Sequence, residues 1–146
     1  MNKNFRDMLA VFNKHHARYL IVGAYAVMRY TEPRYTKDRD VWIDTAPENA
    51  ARYKALAEFG APASRYSPED FEDRYAVFQV GVEPQRIDVT AHIDGVDFSS
   101  AWEKRQTSRV EGLTMHFLSR EDLIKNKKAT GRRQDWIDVD NLTGKT

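Results

Sequence analysis

Apolar side chains at Phe5, Met8, Leu9 and Phe12 recur at i, i+3, i+4 and i+7, which predicts an amphipathic first helix. Tyr19 to Val22 then form an unbroken apolar run ending at Gly23, the mark of a buried strand. Ala24 to Tyr30 read as a short helix opening directly from it. Glu32-Pro33 breaks that helix, and Val41 to Ile43 continue a second strand. Pro47 lies near the start of a helix that turns Ala51, Ala55, Leu56 and Phe59 inward, and Gly60 and Pro62 end it.

The second half is richer in strands. Residues 67–74 are polar and acidic, a surface loop or short helix. Ala76 to Val82 and Arg86 to Ile93 predict two strands joined at Glu83-Pro84-Gln85. In the second, Ile87, Val89, Ala91 and Ile93 alternate with Arg86, Asp88, Thr90 and His92, giving one apolar and one polar face. A short helix with Trp102 follows over 97–105, then two short strands around Glu111-Gly112 within 107–118. Ser119 to Asp122 reads as a capping box opening a helix to about Ala129. Gly131 interrupts, and a last helix carries Trp136, Val139 and Leu142. The expectation is one α/β (α+β) domain over 1–146, with a mixed sheet of about four or five strands flanked by helices. The helices from about residue 119 pack on its core.

Composition narrows the class. Of 146 residues, 41% are hydrophobic and 31% charged, which fits a folded globular chain. A net charge of +1 argues against a generally basic, nucleic-acid-coating surface. With no cysteine, disulfides and thiolate metal sites are excluded. The first sixteen residues lack the apolar core of a signal peptide, and no run approaches the ~20 residues that span a bilayer. A cytoplasmic protein with no membrane partner is expected.

The chemistry concentrates between Tyr19 and Asp44. Asp38 and Asp40 sit two residues apart at the mouth of the second strand, so they share a face. Asp88 lies on the polar face of a later strand. Should that strand neighbour Val41–Ile43, three carboxylates meet on one edge, where they repel unless protonated or bridged by a cation. Mg²⁺ suits such oxygen donors, completed by phosphate and water. Gly23 lets a phosphate approach the backbone closely.

Gly23-Ala24, thirteen intervening residues, Asp38-Arg39-Asp40 and a later Asp88 within RIDVTAHI together resemble the polymerase-beta-like nucleotidyltransferase superfamily. The Arg34-Tyr35-Thr36-Lys37 approach to Asp38, and the stretch DLIKNKKATGRRQDWIDVDNL, are similar to small bacterial proteins of the AbiEii-like abortive-infection toxin type. The resemblance implies a nucleotidyltransferase fold and Mg²⁺-dependent transfer of a nucleoside monophosphate from an NTP. The acceptor would be an RNA (tRNA) end or a protein hydroxyl, in a toxin–antitoxin or phage-defence setting. Asp38, Asp40 and Asp88 would be catalytic and hold two Mg²⁺ ions, Asp88 also serving as base. Gly23, Ala24, Tyr25 and Thr36 would line the nucleotide, and Lys127 and Arg132 would contact phosphate or acceptor. Acceptor recognition would fall to a cognate toxin or antitoxin chain or to a homodimer. Ala24 departs from the usual Gly or Ser and leaves only its backbone N–H for phosphate. That departure supports the alternative reading, a catalytically weak nucleotide- or partner-binding scaffold of the same fold.

Lys125, Lys127, Lys128, Arg132 and Arg133 put five positive charges in nine residues. Lys127 lies nearest the buried edge and is expected to point to a cleft, so that its truncation leaves stability nearly unchanged. Asp135 and Asp138 are expected to pair with these bases rather than catalyse. Trp42, Trp102 and Trp136 read as core or interface residues, although Trp42 shares the Asp38/Asp40 face. His92 shares the Asp88 face, and a third reading, an RNA-binding antitoxin, rests on the basic run.

Overall fold

A computed structural model describes residues 3–33, 36, 39–46, 49, 77–80 and 86–144. Helix α1 spans Lys3–Lys14, followed by β1 (Tyr19–Val22), α2 (Gly23–Tyr30), β2 (Arg39–Ile43), β3 (Val77–Val80) and β4 (Ile87–Thr90). Then come α3 (Phe98–Glu103), β5 (Gln106–Val110), β6 (Leu113–Phe117), α4 (Arg120–Thr130) and α5 (Arg133–Thr143). The expected turn at 83–85, the polar stretch 67–74 and all of the helix expected after Pro47 except Asn49 lie outside the described residues.

The described strands form one mixed sheet in the order β3-β4-β2-β1-β6-β5. β1 runs antiparallel to β2 and parallel to β6, and β2 runs parallel to β4. The two edge strands, β3 and β5, are each antiparallel to their neighbours. The α+β class with a mixed sheet is as expected.

Burial follows the sequence periodicities. Phe5, Met8, Leu9 and Phe12 of α1 are all buried, as the helical spacing requires. They pack beside Tyr19, whose hydroxyl donates to Asn13 Oδ1 at 3.0 Å while Asn13 Nδ2 donates to the Thr114 carbonyl at 2.8 Å. β4 alternates buried Ile87 and Val89 with half-buried Asp88 and Thr90. Central β1 is buried throughout, as expected of a strand covered on both faces.

The carboxy-terminal helices show how local chemistry sets boundaries. Ser119 accepts from the Asp122 backbone N–H at 3.1 Å, which starts α4. Asp122 does not reach back to complete the box. It is buried, and its Oδ1 pairs with Lys104 at 3.0 Å. Gly131 ends α4 at φ +63°, a conformation that suits glycine. In α5, Val139 and Leu142 are buried as expected, whereas Trp136 is 49% exposed.

Candidate active site

The register of the sheet builds the centre of the site. Asp40 on β2 is the direct partner of Asp88 on β4, with Val22 and Gln79 flanking them on β1 and β3. Strand neighbours lie about 4.8 Å apart and register partners share a face. The two carboxylates therefore stand side by side on the same surface of the sheet. Asp38 lies outside the described residues, so the expected trio is represented by this pair.

Gly23 sits where β1 passes into α2, at φ +69°. A Cβ at this position would collide with Oδ2 of Asp40. Glycine is required twice over, by the backbone angle and by the carboxylate lying against it. The same junction presents the first amide groups of α2, which have no partner within the helix.

A cleft of about 600 Å³ opens over this face. Gly23, Ala24, Asp40 and Asp88 line one side, and Lys127, Arg132, Asp135 and Asp138 line the other. Of the nucleotide-contact residues expected from sequence, Gly23, Ala24, Lys127 and Arg132 are thus brought together. Tyr25 and Thr36 are not among the described lining residues. Tyr25 packs edge-on against Phe5, with ring centroids 5.3 Å apart, and beneath the Arg39 guanidinium at 5.0 Å. The Thr36 carbonyl accepts from Arg39 Nη1 at 3.0 Å. Arg39 and Tyr25 belong to the opposite side of β2 from Asp40, because alternate residues point to opposite faces.

The far wall is a buried ionic network. Lys127 Nζ lies 3.4 Å from Asp135 Oδ1 and 3.2 Å from Asp138 Oδ2, and all three side chains are buried. Asp135 Oδ2 accepts from Thr130 Oγ1 at 2.7 Å, Arg132 Nε at 2.9 Å and the Arg132 backbone N–H at 3.0 Å. Gln134 Nε2 donates to Asp138 Oδ1 at 3.0 Å. Burial alone would raise the Asp135 carboxyl, but donation from Arg132 and Thr130, with the Lys127 charge nearby, holds it well below the usual carboxylate range.

Asp135 and Asp138 therefore pair with the basic run, as the sequence suggested. Lys127 lines the cleft and is also buried against Asp135 and Asp138, so its removal is expected to cost stability, contrary to the reading of a freely replaceable cleft cation.

Asp88 Oδ1 lies 3.3 Å from Nε of Arg86, the residue just before β4. His92 joins the cleft wall and pairs with Asp94 at 3.2 Å. His116 lies elsewhere, 2.9 Å from Thr107 Oγ1 through Nδ1. Burial, helped by the Arg105 charge, pulls its pKa below the ordinary histidine value. The sequence patterns did not single out Thr130 and Gln134, which donate to Asp135 and Asp138. Their spacing of i, i+5 and i, i+4 to Asp135 and Asp138 was the available signal.

Among the described residues, no three His, Asp or Glu side chains are grouped to hold a metal ion. The donor set of Asp40 and Asp88 nevertheless suits Mg²⁺, which takes hard oxygens and is often held by one or two carboxylates with substrate phosphates.

No family model matches the chain, and no curated protein matches it. Among solved structures it is similar to the lincosamide antibiotic adenylyltransferase LnuA, determined with lincomycin bound, at 14% identity and a TM-score of 0.56. That likeness covers 100% of this chain and 98% of the other. It is also similar to an antigenic nucleotidyltransferase-like protein from Paracoccidioides brasiliensis, at 15% identity and a TM-score of 0.55, over 95% of this chain and 73% of that one. Identities this low speak for architecture alone. This chain has the fold of the nucleotidyltransferases.

Proposed function

We propose that this protein transfers a nucleoside monophosphate from an NTP to an acceptor hydroxyl. The observation that carries the reading is the Asp40–Asp88 pair, side by side in register and facing a cleft beside the positive-φ Gly23. In the reaction the acceptor oxygen bonds to the α-phosphorus as the bond from that phosphorus to the pyrophosphate oxygen breaks. Pyrophosphate leaves, and the hydroxyl proton passes to the Asp88 carboxylate. Backbone amides at the start of α2 face the phosphates, where a helix N-terminus favours negative charge. Arg132, exposed at the cleft edge, adds a guanidinium for phosphate. Lys127 acts through its buried network, fixing the wall that Arg132 stands on. Asp40, Asp88 and the Asp38 assigned from sequence would hold Mg²⁺, which would offset the charge of the triphosphate.

The test is incubation with each α-³²P-labelled NTP and Mg²⁺, against bulk tRNA, lysate protein and small hydroxyl compounds as separate acceptors. Label transfer that vanishes in Asp40→Ala supports the reading. NTP binding with no transfer to any acceptor overturns it in favour of the scaffold, to which Ala24 lends support. The RNA or protein acceptor and the toxin setting implied by the sequence resemblance form one arm. Growth arrest on expression, relieved by Asp40→Ala, is its signature. A small-molecule acceptor is the other arm, for which the lincomycin-bound neighbour is a precedent on this fold.

A further inference from the structure

Helix α5 has two sides of different character. Asp135, Asp138, Val139 and Leu142 are buried on its inner side. Trp136 and Ile137 turn outward, at 49% and 47% exposure. They are two of the three large hydrophobic side chains exposed among the described residues, and they are neighbours in the chain. Adjacent α4 shows what a solvated helix looks like here, since its exposed positions are Arg120, Glu121, Lys125, Lys128 and Ala129. An indole and an isoleucine left outside on one face mark a contact surface.

Charge is arranged around them. At about 100° per residue, Arg133 and Asp140 fall on one line along the outer side of α5, two turns apart. Trp136 lies to one side of that line and Ile137 to the other. Arg133 and Asp140 are both exposed. Among the described residues, neither side chain takes part in a hydrogen bond or ion pair.

This pattern complements itself. In a two-fold contact between antiparallel α5 helices, centred between Trp136 and Ile137, each residue meets the one equally far beyond the centre. Arg133 then faces Asp140 of the second copy, and Asp140 faces its Arg133. The two indoles meet on one side of this line and the two isoleucines on the other. A parallel pairing would instead set Arg133 on Arg133 and Asp140 on Asp140, with like charges at both ends. A phosphate backbone laid on this face would meet Asp140 in its midline.

We infer that the outer face of α5 is a self-association surface, on which two copies of this chain pack antiparallel around Trp136 and Ile137. The contact braces the helix whose Gln134, Asp135 and Asp138 line the cleft. It stands whether or not the transfer reading does.

Sedimentation equilibrium of the full chain, from about 1 to 500 μM, tests it, because one helix pair is a small interface that fills only at high concentration. The expected result is a monomer–dimer equilibrium whose dissociation constant rises at least about tenfold in Trp136→Gln, with the melting temperature of the monomer held. Arg133→Asp and Asp140→Arg should each weaken self-association, because each makes both cross-contacts like-charged. Mixed in equal amounts, these two variants should form a heterodimer, and the double variant should recover the homodimer. A chain that stays monomeric throughout overturns the inference, as does a dimer indifferent to these substitutions. So does a monomer whose ¹⁵N indole resonance, the one absent from Trp136→Gln, shifts on adding a short single-stranded RNA. That outcome would make the face a nucleic-acid surface.

Discussion

Asp40 and Asp88 are direct register partners across the parallel β2–β4 pair. Two carboxylates a strand spacing apart repel one another unless a cation or proton intervenes. Arg86 offsets part of that repulsion at Asp88, and the pair suits a site that recruits further positive charge. Asp88→Asn should therefore lower NTP transfer by at least about 100-fold while moving the melting temperature by only a few degrees. Labelled-NTP assays beside thermal melts check this. Intact transfer in the variant would remove Asp88 from the chemistry.

Gly23→Ala tests the turn. Its φ of +69° is strained for alanine, and the new methyl group meets the Asp40 carboxylate. A loss of roughly 1–3 kcal/mol is expected, read as a lower denaturant midpoint, with activity falling further than stability because Asp40 is pushed aside. Transfer that tracks stability alone would make the glycine merely structural.

Lys127→Met should be destabilising, by about 3 kcal/mol, because buried Asp138 loses its Lys127 partner while Asp135 keeps the Arg132 cation. Adding Asp138→Asn in that background should recover part of the loss. Urea titrations of the single and double variants give the coupling directly.

The pH dependence of stability should carry the mark of Asp135. Its folded-state pKa is depressed, so its contribution is complete above the unfolded carboxylate value of about 3.9 and is lost as pH falls through the lower folded value. Asp135→Asn should lower the melting temperature at pH 7 and flatten its decline below about pH 4. An unchanged acid slope would place the effect elsewhere.

Much of this fold was written in short-range patterns. The α1 spacing, the apolar run before Gly23 and the alternation through β4 each follow from one helical or strand period, so local sequence suffices. The same periodicity put Asp88 and Thr90 on the polar side of their strand, and Asp40 and Trp42 on one common face of theirs. What no period encodes is which strands are neighbours and in what register. The parallel β2–β4 pairing joins segments far apart in the chain, and it alone set Asp40 beside Asp88 and Trp42 beside Thr90. Tertiary packing likewise made the cleft-lining Lys127 the centre of a buried network, because α5 brought two carboxylates to it. It also seated Tyr25 among Phe5, Phe117 and Arg39. Sequence chose the residue types and their faces, and long-range pairing, which pays loop entropy to gain burial and hydrogen bonds, chose their companions.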